Sequence, residues 1–145
     1  MSANEILNDL EQLLSDWIEE AYAQIPDDHI IRKVEQIYLN GDHFSSGLAD
    51  CANDLNKICE ESSMNTNDIL DNLKQLIARW RNEAYVRIPE ECIKSGHHNA
   101  YLNDDYKAAG LISCANDIET LIIKYSILYD TIYDTNNDIH IVVVQ

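Results

Sequence analysis

The stretch that decides the fold is Ile6-Leu7-Asn8-Asp9-Leu10-Glu11-Gln12-Leu13, which returns as Ile69-Leu70-Asp71-Asn72-Leu73-Lys74-Gln75-Leu76. The same offset of 63, with no gap, relates Trp17 to Trp80 and the Cys-Ala-Asn-Asp segment 51–54 to the segment 114–117. Of the 53 positions from 6 to 58, 22 are identical to their partners. Repetition of this extent predicts a tandem duplication. Two copies are too few for a solenoid, so we expect two similar units packed about a pseudo-twofold axis.

Each copy has the apolar periodicity of helices. In the first segment the apolar residues share an arc of about 140°, and Pro26 ends the helix because it lacks an N–H. Ile30, Ile31, Val34, Ile37 and Tyr38 predict a second helix that stops at Gly41, and Gly96 with His97-His98 predicts a shorter or irregular counterpart. Asp42 and Asp105 are the predicted N-caps of a third, long helix. We therefore predict an all-α protein of two three-helix units, 1–63 and 64–126, packed as one bundle, with a helix extension and extended tail at 127–145.

Small residues on the long helices predict close packing. Gly47 and Cys51 lie one turn apart, as do Gly110 and Cys114, which leaves a shallow groove where another helix can approach. We expect Trp17 and Trp80 to fill this groove and to lock each helical hairpin. Each buried indole N–H needs an acceptor, and Asn53, Asp54, Asn116 and Asp117 are the candidates.

Composition excludes several classes of function. The 145 residues suit one compact unit, and 10 Lys+Arg against 26 Asp+Glu give a formal net charge of −16. Direct binding to nucleic acid or to an anionic membrane is disfavoured, because phosphate contacts require cations. The start, Met1 to Glu5, has neither a basic region nor an apolar run, so we expect no signal peptide, a cytoplasmic location and reduced cysteines.

The negative charge is divided unequally between the copies. Residues 1–63 hold 14 acidic and 3 basic residues, a net charge of −11, whereas residues 64–126 hold 9 and 7, a net of −2. Five acids of the first helix share one arc opposite the apolar face, and two more follow Pro26. This face is either a solvated surface that only keeps the protein soluble, or a docking surface for a basic partner. The candidate binding residues are Glu5, Asp9, Asp16, Glu19, Glu20, Asp27 and Asp28.

Catalytic and metal-binding motifs are not evident in the sequence. Asp50 and Asp54 are a near match to the paired carboxylates of all-helical magnesium hydrolases, but no second inward pair has suitable spacing. His29, His43, Cys92, His97 and His98 lack zinc spacing, and the paired positions of the two copies carry different residues. Cys51 and Cys114 have the pattern of core thiols. We expect no cofactor, no metal and no enzymatic activity; a metal-dependent nucleotide hydrolase is a remote alternative.

The C-terminal region leaves a second possibility open. Tyr125, Tyr129 and Tyr133 recur every four residues, either as core residues or as exposed interface anchors. The tail from Asn136 is rich in β-branched residues, including Val142 and Val144, which favours a short strand. Such a strand covers the bundle or pairs with another chain. A homodimeric adaptor joined through these residues is therefore the alternative function.

The pattern L-x-x-L-x-x-x-W-x-x-E-A, followed by C-A-x-D-L/I, occurs in both copies. It resembles small helical-hairpin proteins encoded by phages and prophages, over Ile6–Ile58 and Ile69–Leu121. The resemblance implies an acidic, non-enzymatic inhibitor of host defence, a group that includes anti-CRISPR proteins and nucleic-acid mimics. We therefore predict a stoichiometric inhibitor that occupies the basic, nucleic-acid-binding surface of a partner such as a CRISPR effector.

Overall fold

The computed structural model describes residues 3–33, 35–61 and 65–136, with side chains as far as Tyr125. This part of the chain is helical and has no strand, so the all-α prediction is confirmed. The predicted C-terminal strand lies outside the described residues. The helices are α1 (Ala3–Ala23), α2 (Asp27–Ile31), α3 (Glu35–Leu39), α4 (Phe44–Glu60), α5 (Thr66–Arg87), α6 (Glu90–Lys94), α7 (His98–Leu102) and α8 (Lys107–Asn136).

The four long helices enclose one core. α1 packs along α4 and α5 packs along α8, so each repeat contributes a pair, and α4 also packs along α8 between the repeats. The apolar stripe predicted for α1 faces this core, except for Ile18, which is exposed. Its most deeply buried large residues are Trp80, Ile6, Leu10, Leu48, Leu55, Ile69, Leu73, Leu111 and Ile118.

The repeats meet where α4 crosses α8 at two equivalent glycines. A Cβ added to Gly47 would lie 2.5 Å from the carbonyl oxygen of Lys107 and 2.8 Å from the Cα of Gly110. The small-residue pattern therefore admits another helix, as predicted. The prediction that tryptophan fills the groove beside these glycines is wrong, because the backbone of the opposing repeat occupies that space.

The segment between the long helices differs from the prediction in the first copy, whereas its counterpart in the second copy is irregular, as predicted. It is two short helices in both copies, not one helix, and the break comes at equivalent residues with left-handed backbone: Lys33, with φ 58°, and Gly96, with φ 74°. A left-handed residue redirects the chain, so one continuous apolar stripe cannot face the core. Accordingly Ile30, Ile31 and Ile37 are exposed.

The helix caps cross between the repeats. Asp42 does not cap α4, the helix that follows it; its Oδ1 accepts from the backbone N–H of Lys107, at the start of α8, over 2.9 Å. Asp105 accepts in the same way from Phe44, at the start of α4, over 2.9 Å. The helices start side by side at the glycine crossing, so each aspartate reaches its neighbour. Equivalent residues of the two copies thus make equivalent contacts.

Candidate functional site

The acidic residues predicted as a binding face lie together on the outer side of α1. Glu5, Asp16, Glu19 and Glu20 are exposed there, and Asp27 and Asp28 are exposed at the start of α2. The buried residues of α1 face the core, and these acids lie on the opposite, solvent-facing side of the helix. Asp28 pairs with Arg32 over 3.4 Å, whereas Glu19, Glu20 and Asp27 form no ion pair with any described residue. The face therefore carries charge that the described residues do not neutralise.

Asp9 differs from the other predicted acids, because its carboxylate is engaged within the chain. Its Oδ2 accepts a hydrogen bond from the hydroxyl of Tyr125 and lies 3.5 Å from Lys124 Nζ. The same hydroxyl lies 3.2 Å from the backbone oxygen of Glu5. Asp9 thus fastens the start of α1 to α8, which makes it a structural residue as well as part of the acidic face.

Tyr125 is a core residue of the single chain. It is 3% exposed, so it is not the exposed anchor that the interface interpretation requires. Burial, together with the hydrogen bond and charge of Asp9, raises its pKa. Tyr129 and Tyr133 lie in α8 beyond the described side chains, and Val142 and Val144 lie outside the described residues.

The two tryptophans link the repeats rather than locking each hairpin. Trp17 Nε1 donates to Asp117 Oδ2 and Trp80 Nε1 donates to Asp54 Oδ2, each over 2.9 Å. The rings meet edge to face with their centroids 6.0 Å apart. In both bonds the tryptophan and its acceptor belong to different repeats. The hairpin-lock prediction is therefore corrected: the bonds cross the interface because the bundle brings α1 near α8 and α5 near α4.

The two bonds differ in whether the accepting aspartate also forms an ion pair. Arg79 Nη2 lies 2.7 Å from Asp54 Oδ2, so that carboxylate receives an indole and a guanidinium on one oxygen. The residue equivalent to Arg79 in the first repeat is Asp16. Asp117 consequently accepts from Trp17 but forms no ion pair with any residue that the structure describes.

Two equivalent surface grooves adjoin these pairs. The groove between α4 and α5, about 440 Å³, is lined by Asp54, Lys57, Ile58, Asn72, Gln75, Leu76 and Arg79. The groove between α1 and α8, about 470 Å³, is lined by Asp9, Gln12, Leu13, Asp117, Thr120, Leu121 and Lys124. Two cations and one carboxylate line the first groove, whereas two carboxylates and one cation line the second. The 63-residue offset already pairs Asp16 with Arg79, but the sequence does not reveal that Arg79 lies beside a tryptophan–aspartate bond.

The candidate metal ligands are dispersed. No group of three or more His, Cys, Asp or Glu side chains that could hold a metal ion occurs among the described residues. His43 stacks on Tyr38 with ring centroids 4.0 Å apart and lies 3.5 Å from Asp105, which is a packing role at the start of α4. Cys51 and Cys114 are fully buried, and burial raises the pKa of the Cys51 thiol. These thiols are core residues, as predicted.

The chain belongs by architecture to the all-α class, as a bundle of four long helices linked by short ones. No protein family matches the chain, and no curated protein or solved structure is significantly similar to it. Within the described residues, none of the helices combines the length and apolar character needed to cross a bilayer.

Proposed function

We propose that the protein is a non-enzymatic binding protein whose acidic first repeat occupies the basic, nucleic-acid-binding surface of a partner protein. Inhibition requires only that the partner's surface be covered, without turnover. A phage-type inhibitor of a CRISPR effector, nuclease or repressor is the form that the sequence pattern favours. The cytoplasm is the proposed location.

The observation that carries the proposal is the difference between α1 and α5. The outer face of α1 presents Glu5, Asp16, Glu19 and Glu20 to solvent, and their equivalents on α5 are Asp68, Arg79, Asn82 and Glu83. The backbones are alike, so a structural requirement of the helix does not explain the charge. Complementary charge accelerates association and selects partners.

The charge spacing sets an expectation for salt dependence. α1 carries six acids over its 21 residues, which span about 31 Å at 1.5 Å per residue, or one charge every 5 Å or so. A single DNA strand carries one phosphate per 3.4 Å or so. The proposed complex should therefore weaken as salt rises, but less steeply than the partner's complex with DNA.

The test is capture of a partner with matched charge-reversal variants. D16K/E19K/E20K reverses the acidic face but spares Asp9, which the fold needs. D71K/E90K/E91K makes the same change in net charge at exposed positions of the second repeat. Binding of a nucleic-acid-binding protein that added DNA or RNA displaces, and that the first variant loses but the second keeps, is the expected result. Equal binding by all three proteins, at unchanged helical circular dichroism, would refute the assignment of this face.

The homodimeric adaptor remains the alternative hypothesis, although the burial of Tyr125 removes one of its proposed contacts. Truncation after Thr135 followed by light scattering tests it, because a dimer held by the tail would fall to half its mass.

A further inference from the structure

The ion pair between Arg79 and Asp54 shows that an aspartate held by a tryptophan can bind a guanidinium group. Trp80 donates its indole N–H to Asp54 Oδ2 over 2.9 Å, and Arg79 Nη2 approaches the same oxygen to 2.7 Å. The tryptophan fixes the carboxylate, and the carboxylate directs a guanidinium along the surface groove. The guanidinium also covers the acid, whose side chain is 25% exposed.

The other repeat keeps this arrangement but changes its charge. Trp17 donates to Asp117 Oδ2 over the same 2.9 Å, so the carboxylate is held in the same way. Asp16 takes the place of Arg79. Asp117 is exposed and forms no ion pair with a described residue, and the carboxylate of Asp16 accepts a hydrogen bond from Gln12 Nε2 over 2.9 Å. The first repeat therefore has an acid at the position where the second repeat has the base that pairs with its aspartate. A guanidinium from outside the chain would supply to Asp117 the positive charge that Arg79 supplies to Asp54.

The adjoining groove fits an arginine side chain. Leu13 and Leu121, both half-buried, provide an apolar surface for the aliphatic stem, and Asp9 and Asp117 supply negative charge. Lys124, the one cation in this groove's lining, is 3.5 Å from Asp9 and is thus engaged with that acid. Arginine suits such a place better than lysine, because its planar guanidinium donates several hydrogen bonds in fixed directions and sheds water more readily.

We infer that Asp117, held by Trp17 and without a base at the position equivalent to Arg79, is the receptor for an arginine side chain supplied by the partner protein. The inference rests on the proposed function, since it specifies the chemistry by which the acidic face of α1 recognises a basic surface. One exposed arginine–carboxylate pair contributes little affinity. The site therefore selects and orients a partner whose other basic residues meet Glu19 and Glu20.

The test uses the two indole N–H signals as reporters. The protein has two tryptophans, so a ¹H–¹⁵N correlation spectrum contains two indole cross-peaks, which W17F and W80F assign. The probe is the peptide acetyl-Gly-Arg-Gly-amide at matched ionic strength, with the citrulline peptide as an uncharged control. The expected result is a shift of the Trp17 indole that grows with the concentration of the arginine peptide and does not occur with the citrulline peptide. The Trp80 indole should stay in place, because Arg79 already holds Asp54.

Two substitutions, each of which introduces the equivalent residue of the other repeat, give the decisive comparison. D16R places an arginine at the position equivalent to Arg79 and should abolish the Trp17 response, because Asp117 would then be paired within the chain as Asp54 is. R79D removes the guanidinium from Asp54 and should create the response at Trp80. Circular dichroism checks that each variant is folded.

Equal shifts of both indoles in the wild-type protein, or no shift at either, would overturn the inference. A response at Trp17 that persists unchanged in D16R would overturn it as well. These outcomes are independent of the proposed function, whose own test is the loss of partner capture by D16K/E19K/E20K relative to D71K/E90K/E91K. If the capture test failed but the arginine peptide shifted the Trp17 indole, the guanidinium site would stand and the proposed function would not.

Discussion

Trp17 and Asp117 are joined by a 2.9 Å hydrogen bond across 100 residues of sequence, and Trp80 makes the equivalent bond to Asp54. Each bond starts in one repeat and ends in the other. The two repeats therefore stabilise each other through polar contacts as well as through their shared core.

Removal of the acceptor should leave a buried indole N–H unsatisfied. We expect D117A to lower the free energy of unfolding by about 1–3 kcal/mol, the usual cost of an unpaired buried donor. D117N keeps an oxygen acceptor and should lose less. Urea denaturation followed by tryptophan fluorescence measures both. A D117A protein no less stable than D117N would show that the bond contributes nothing.

The glycine crossing should not tolerate a methyl group. In an uncrowded helix interior, glycine to alanine stabilises by about 1 kcal/mol. At Gly47 the added Cβ would meet the backbone of α8, at Lys107 and Gly110, and backbone cannot move aside as a flexible side chain can. We therefore expect G47A to destabilise by about 1–3 kcal/mol or more. Thermal denaturation checks the sign, and a stabilised G47A variant would contradict the crossing.

Lys33 and Gly96 form a matched pair for a test of backbone conformation. Both have positive φ, which costs a residue with a Cβ about 1–2 kcal/mol. K33G should therefore be more stable than K33A by about 1 kcal/mol, although both lose the same charge. G96A should be destabilised by a similar amount. The cost comes from the backbone conformation alone, because nothing lies within 4 Å of the added methyl group to cause a clash. Equal stability of K33G and K33A would rule out the left-handed turn.

The raised pKa of Tyr125 predicts sensitivity to alkali. Because the folded state holds this proton more tightly than the unfolded state, the associated stability is fully present below about pH 10, the ordinary pKa of tyrosine, and falls as the pH rises above it. Y125F removes this dependence and loses about 1 kcal/mol of hydrogen bonding at neutral pH. Denaturation at neutral pH and near pH 11 measures both effects.

Y22F serves as the control for this experiment, because Tyr22 is an exposed tyrosine. It should match the wild-type protein at both pH values. If Y125F lost stability between the two pH values as steeply as Y22F, Tyr125 would not be the group responsible.

Local features of the chain were predictable where they depend on the chain's own periodicity. The apolar arc of α1, the end of that helix before Pro26, and the helical class all follow from spacing and from the chemistry of proline. The split of the second predicted helix was missed in the first copy. Lysine at position 33 gives no sign of a left-handed turn, whereas Gly96 in the other copy marks the equivalent position.

The partners of the polar side chains required the tertiary structure. The sequence predicts Asp42 and Asp105 as caps, each of the helix that follows it. The glycine crossing sets the starts of α4 and α8 side by side, so each cap reaches the helix of the opposite repeat. Asp9 was grouped with the acids of α1, and only the packing of α8 shows its bond to Tyr125.

The sequence by itself determined the repeated pattern at an offset of 63, the helical class and the excess of acid in the first repeat, because repetition, periodicity and charge are properties of residue order. The tertiary structure decided which residues meet: Trp17 with Asp117, Asp42 with α8, and Arg79 with Asp54. Two nearly equivalent repeats can satisfy the same donors and acceptors within a copy or between copies. The choice depends on the approach of α4 to α8 at Gly47 and Gly110, which is a property of the folded backbone.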